Sequence, residues 1–120
     1  MRYSSYKIGI LELDIQHANI DFILSELVQE GLRKEASEKN YETLTNALTL
    51  HFNFEDEWAQ TNNNKYFDAA HQKAHTELLE KLEEFGNQYT NKKLNMYEIS
   101  LTLQIELVKH VQNHDIKLKD

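Results

Sequence analysis

The sequence predicts an all-α protein, an up-down-up-down four-helix bundle with an N-terminal arm. Three observations carry that expectation. The 120 residues include no proline and only 3 glycines, so little in the chain interrupts a helix. Apolar residues recur at three- and four-residue intervals through four successive stretches, the period of helices that bury one face. Short polar tracts separate those stretches, and short connections make successive helices antiparallel neighbours. The length suits one domain spanning residues 1–120, and no repeat, low-complexity tract or linker divides it.

The opening MRYSSYKIGILELD is of mixed character and reads as an arm packed across the bundle. Helix one is expected from about Asp14 to about Glu35, with Leu13, His17, Ile20, Leu24, Leu27 and Val28 on its inner stripe. Gly31 weakens its end. Helix two runs from about Glu38 to Gln60, with Ser37 as N-cap. Its stripe is Tyr41, Leu44, Leu48, His51, Glu55 and Trp58. The tract TNNN, Thr61 to Asn64, forms a turn that caps the next helix. Helix three is expected from about Lys65 to Phe85, with Phe67, His71, Ala74, His75, Leu78, Leu82 and Phe85 inward. Gly86 then suits a left-handed C-terminal cap. Helix four starts near Asn95, which with Glu98 resembles a capping box. One of its stripes holds Leu103, Leu107 and His110; a neighbouring one holds Leu101, Ile105, Val108 and Asp115. Both are largely apolar, so this helix is expected to be buried over a wide arc.

Composition excludes several classes of function. Asp and Glu number 20 against 13 Lys and Arg, a formal net charge of −7. A nucleic-acid surface wants the opposite balance. No apolar run approaches a membrane span, and the N-terminal stretch lacks the apolar core and cleavage site of a signal peptide. A cytoplasmic monomer, with no membrane or nucleic-acid partner, is the expectation. There are no cysteines, so disulfides, thiolate sites and iron–sulfur clusters are excluded. Any metal must be held by nitrogen and oxygen.

The polar residues on the inner stripes carry the functional signal. HQKAH places His71 and His75 one turn apart on one helix face. HFNFE does the same for His51 and Glu55. His17 enters from helix one and His110 from helix four. A lone core histidine is usually structural and satisfied by a neighbour. Five inward imidazoles on four helices are different, because each buried polar group without a partner costs roughly 1–3 kcal/mol. One metal centre satisfies them together. Five nitrogens and a carboxylate exceed a four-coordinate site and point to two metals sharing bridging ligands. Imidazole suits iron, zinc, copper and nickel. For the last ligand, periodicity favours His114, one turn beyond His110. Asp115 lies about 140° around an ideal helix from His110, yet a second carboxylate offsets the charge of two dications better. Residue geometry leaves that choice open.

The ordered set of His17 within LDIQHANID, then HFNFE, HQKAH and HVQNHD (His110 to Asp115), resembles the hemerythrin family, and most closely its single-domain bacterial members. The resemblance spans nearly the whole chain. It implies a hemerythrin-like domain with a non-haem di-iron centre that binds dioxygen reversibly. By position, His71, His75 and His110 would hold one iron and His17 and His51 the other. Glu55 and Asp115 would bridge them, with a solvent-derived oxo or hydroxo group as third bridge. The resemblance selects Asp115 over His114. It also implies one open position, on the iron with two histidines, where O₂ enters. Ile20, Leu24, Phe54, Trp58 and Leu107 are expected near that pocket. Two positions depart from common family features: KYFDAAH lacks a proline before the third metal helix, and Leu118 stands where an aromatic often follows the final aspartate.

The function implied is O₂ carriage, storage or delivery, without enzymatic activity and with the protein partner unknown. An O₂ or NO sensor or adaptor would act through an output domain or partner, and a single-domain chain favours the carrier. A di-iron oxidase or peroxidase would be expected to show the Glu-x-x-His pairs of carboxylate-rich sites, which the inner stripes lack. Iron or zinc handling would require the metal without an O₂ response.

Overall fold

The computed structural model describes residues 8–119. Its elements are α1 (Leu11–Arg33), α2 (Glu38–Thr61), α3 (Ala69–Thr90) and α4 (Met96–Asn113), followed by a short 3₁₀ helix, Asp115–Lys119. The described residues are helical and contain no strand, and the four helices pack as a bundle. α1 lies against α2 and α4, and α3 against α2 and α4. No helix among the described residues is long and apolar enough to cross a membrane.

α1 begins three residues before Asp14, so Leu11 to Asp14 belong to the helix and not to an arm. The rest of the expected arm, residues 1–7, lies outside the described residues. Asp14 accounts for the early start. Its buried carboxylate accepts hydrogen bonds from the backbone N–H of Ile8 at 2.7 Å and of Gly9 at 3.1 Å, tying the preceding turn onto the helix. Gly31 has a packing role. A Cβ built there would lie 2.7 Å from Tyr97 Cα, so its missing side chain lets α1 and α4 approach closely.

Ser37 stands at the N-cap position of α2, but its side chain makes no capping bond. α3 starts at Ala69, four residues later than expected, and its cap is Asp68, whose carboxylate accepts from His71 N–H at 3.0 Å. The asparagine tract serves another element. Asn64 accepts from Tyr66 N–H at 2.9 Å and donates to the Leu118 carbonyl at 2.7 Å, anchoring the 3₁₀ helix to the α2–α3 loop. Gly86 is not a cap, because α3 continues to Thr90. It faces Tyr41, whose ring would lie 3.3 Å from an added Cβ and whose hydroxyl donates to the Leu82 carbonyl at 2.6 Å. The chain reverses instead through left-handed Lys34, Asn63 and Lys92, one or two residues past the ends of α1, α2 and α3. Asn95 and Glu98 do pair at the start of α4: Asn95 accepts from Glu98 N–H at 2.9 Å and donates to its carboxylate at 2.8 Å.

The core is built from Leu13, Ile20, Leu24 and Leu27 of α1, Leu44 and Leu48 of α2, Leu78 and Leu82 of α3, and Met96, Ile99, Leu103 and Leu107 of α4. Two stripes are rotated from their expected positions. On α2, Phe52 and Ala59 are buried and Trp58 is on the flank. On α4, the buried arc extends through Ser100, Gln104 and Val111, while Ile105 is 55% exposed. Of the expected second stripe, Asp115 is buried, Val108 packs half-buried against the core and Leu101 is half-buried, while Ile105 faces out. α4 turns its other flank toward α1, its closest neighbour.

Candidate metal centre

All seven residues singled out from the sequence lie in one buried cluster. Glu55, His71 and Asp115 are fully enclosed, and His17, His51, His75 and His110 are buried. α1 supplies His17, α2 supplies His51 and Glu55, α3 supplies His71 and His75, and α4 supplies His110. Asp115 is not on α4. That helix ends at Asn113, His114 forms its C-cap, and Asp115 opens the 3₁₀ helix. The break at His114, where φ is −124° and ψ −61°, redirects the chain and brings Asp115 inward, which an unbroken α-helix would not do. His114 is half-buried outside the cluster; its ring stacks on His71 with centroids 5.2 Å apart.

Each histidine turns Nε2 toward the two carboxylates, and the carboxylate oxygens divide the cluster in two. Glu55 Oε1 lies 2.7 Å from Nε2 of His71 and 3.1 Å from that of His75. Asp115 Oδ1 lies 2.8 Å from His71 Nε2 and 3.0 Å from His110 Nε2. The other two oxygens face the remaining pair. Asp115 Oδ2 is 3.1 Å from His17 Nε2, Glu55 Oε2 is 3.3 Å from His51 Nε2, and the two Nε2 atoms are 3.2 Å apart. Glu55, His71, His75, His110 and Asp115 thus form one group that could hold a metal ion, and His17, His51, Glu55 and Asp115 a second.

These separations suit cations better than a hydrogen-bond network. Ligands about 2.1 Å from one ion and at right angles are about 3 Å apart. A hydrogen bond needs one proton on one line. His71 Nε2 is nearly equidistant from two carboxylate oxygens, and one N–H cannot point at both. His110 Nε2 sits 3.0 Å from Asp115 Oδ1 without hydrogen-bond geometry, and Glu55 Oε2 also lacks a hydrogen-bond partner among the described residues. The lone pairs converge on shared points. The donor set of imidazole nitrogens and carboxylate oxygens fits iron and other borderline divalent ions.

Electrostatics agree with a site built for positive charge. Burial and the neighbouring Asp115 charge push the Glu55 carboxyl up, but the imidazoles of His51, His71 and His75 beside it outweigh them and bring it down to about 2. Burial likewise opposes ionisation of Asp115, yet His110, His17, His51 and His71 hold it well below the usual carboxylate range. Burial works against a charge on His51 and His71, while Asp115 and Glu55 prevail and raise each to about 9. For His75 burial dominates and lowers it despite Glu55. Without metal, protons on His51 and His71 supply the positive charge that the two carboxylates attract.

Aromatic and aliphatic side chains enclose the cluster. Phe52 stacks on His75 with centroids 4.0 Å apart, and Phe67 lies 4.6 Å from His71. A cavity of about 10 Å³ borders His17, His51, His110 and Asp115, with Ile20, Phe52, Leu107 and Val111 as its other walls. That is room for about one water-sized molecule. Ile20 and Leu107 were expected there. Leu24, Phe54 and Trp58 are not among the walls, because the buried face of α2 is rotated toward Phe52 and Leu24 lies deeper in the core. Phe52, Val111 and Gln16, which contacts His51, were missed. HFNFE offers two phenylalanines, and only the rotation of α2 decides between them. Compared with protein-family models, curated proteins and solved structures, the chain matches none.

Proposed function

We propose that this chain is a hemerythrin-like protein that binds dioxygen reversibly at a non-haem di-iron centre, within four helices arranged up-down-up-down. His71, His75 and His110 would hold one iron and His17 and His51 the other. Glu55 and Asp115 would bridge them together with an oxo or hydroxo group. When bound, the two iron(II) ions would supply the electrons and the open coordination position that reversible O₂ binding requires.

One observation carries the reading: the asymmetry of the cluster coincides with the cavity. Three imidazoles face one pair of carboxylate oxygens and two face the other, and the small cavity touches both histidines of the two-histidine half but, of the other three, His110 alone. A half with one ligand fewer has a place for an exogenous molecule. Ile20, Phe52, Leu107 and Val111 make the surrounding wall apolar. They admit a small neutral gas and keep out the water that would deliver protons. Glu55 and Asp115 hold the two halves together and offset the charge of the metals. Histidine-rich ligation with only two carboxylates favours binding over oxidation of a substrate, because fewer anionic ligands stabilise high-valent metal less.

The test is optical. Metal-free protein is loaded with iron(II) without air, and its visible spectrum is followed as O₂ is added and removed. A charge-transfer band that rises with O₂ and fades on its removal, over repeated cycles, is expected. Irreversible oxidation on first exposure, or two irons per chain with no O₂-dependent band, would contradict the proposal.

A further inference from the structure

We infer that Gln16 is a positioning residue that fixes which nitrogen of His51 faces the centre, and thereby controls metal binding in the two-histidine half. The inference rests on the metal-centre reading above. Gln16 Oε1 lies 2.6 Å from His51 Nδ1, across the seam between α1 and α2. A carbonyl oxygen can only accept, so Nδ1 carries a proton. When a metal displaces the second proton, the ring is left neutral with Nε2 as a bare lone pair. That is the nitrogen 3.2 Å from His17 Nε2 and 3.3 Å from Glu55 Oε2. With the opposite tautomer, a proton on Nε2 would occupy the space a cation needs.

The place of this bond gives it a specific role. A groove between α1 and α2, lined by Ile15, Asn19, Ala47 and Leu50, reaches both Gln16 and His51. Gln16 is half-buried there, so it covers the outer nitrogen of a ligand that would otherwise meet solvent. His71 is held differently: its Nδ1 is buried and has no hydrogen-bond partner among the described residues. His71 belongs to the three-histidine half, whose extra imidazole makes it less dependent on an outer anchor. Partners of this kind set ring orientation and ligand basicity, and their loss typically weakens metal affinity 10–100-fold. The effect of Gln16 falls on the half that borders the cavity.

Zinc(II) tests this without O₂ chemistry. Metal-free wild type, Gln16→Leu and Gln16→Glu are titrated with zinc(II) against a competing chelator, and ¹⁵N spectra of the histidines are recorded on the zinc forms. Wild type is expected to bind two ions and to show His51 protonated at Nδ1. Gln16→Leu should bind the second ion about 10–100-fold more weakly and leave the first unchanged. Gln16→Glu restores an acceptor and should restore both the second ion and the Nδ1–H signal, a rescue that mere packing would not give. Equal affinities in wild type and Gln16→Leu, or a His51 that binds zinc through Nδ1, would overturn the role of Gln16 alone. A wild type that binds fewer than two ions would overturn the metal-centre reading beneath it.

Discussion

Exchanging Asp115 for Asn alters the atom group at which both halves of the cluster meet. The side chain is fully buried. Its Oδ1 serves His71 and His110 at 2.8 and 3.0 Å, and its Oδ2 serves His17 at 3.1 Å. An amide keeps one oxygen and puts an NH₂ where the other stood, so one half of the cluster gains donors facing its nitrogen lone pairs. It also removes one of the two negative charges that balance the metals. Breaking a buried, paired charge costs about 3–5 kcal/mol, which at 1.4 kcal/mol per tenfold is about 10²–10⁴-fold in affinity. His114→Ala is the control. That ring stacks on His71 but contributes no atom to the cluster, so the change should stay within about threefold, the effect of about 0.5 kcal/mol. Both variants are titrated with iron(II) without air against a chelator. Two tightly held irons in Asp115→Asn, with loss of iron in His114→Ala, would refute the assignment of Asp115 over His114.

Three further expectations follow from the same geometry. The metal-free protein should lose stability at both ends of the pH scale: His51 and His71, raised to about 9, stabilise it fully below about pH 6.5 and lose that contribution as pH rises through 9, by up to about 1.4 kcal/mol per pH unit for each proton. Glu55, lowered to about 2, and Asp115, held well below the usual carboxylate range, contribute above about pH 4.5 and lose it as pH falls; denaturant melts from pH 3 to 10 check both limbs, and metal affinity should instead rise with pH because metal displaces protons. Gly31→Ala should destabilise by about 1–3 kcal/mol through overpacking against Tyr97, reversing the gain of roughly 1 kcal/mol that the same change brings in an open helix; thermal melts of the metal-free variant give the sign. Leu107→Ala removes a cavity wall, and should cost about 2–5 kcal/mol while admitting water, so that the iron-loaded variant oxidises irreversibly faster in air than wild type.

The helices were legible because their apolar period is regular and nothing in the composition breaks it. Their limits were harder. At the start of α3, a run of asparagines suggested a cap, yet Asp68, beside two alanines, supplies the bond to His71 N–H. Gly86 followed a complete apolar stripe and looked like a terminus, but its neighbour is Tyr41 from another helix, and no local pattern contains that contact. The inward histidines and Glu55 could be read from spacing alone. Asp115 could not, because an ideal helix aims it away from His110; the backbone break at His114 brings it back. That segment is held by Asn64, 54 positions earlier in the chain. Gln16 stands directly before His17 in LDIQHANID, but its role is invisible in the sequence, since it depends on how α1 and α2 face each other across His51.

The most direct test of the central claim is an anomalous-scattering map of the iron-loaded crystal at the iron absorption edge. Two peaks per chain are expected, one among His71, His75 and His110 and one between His17 and His51, both flanked by Glu55 and Asp115. A single peak, or iron bound away from these seven residues, would contradict the account.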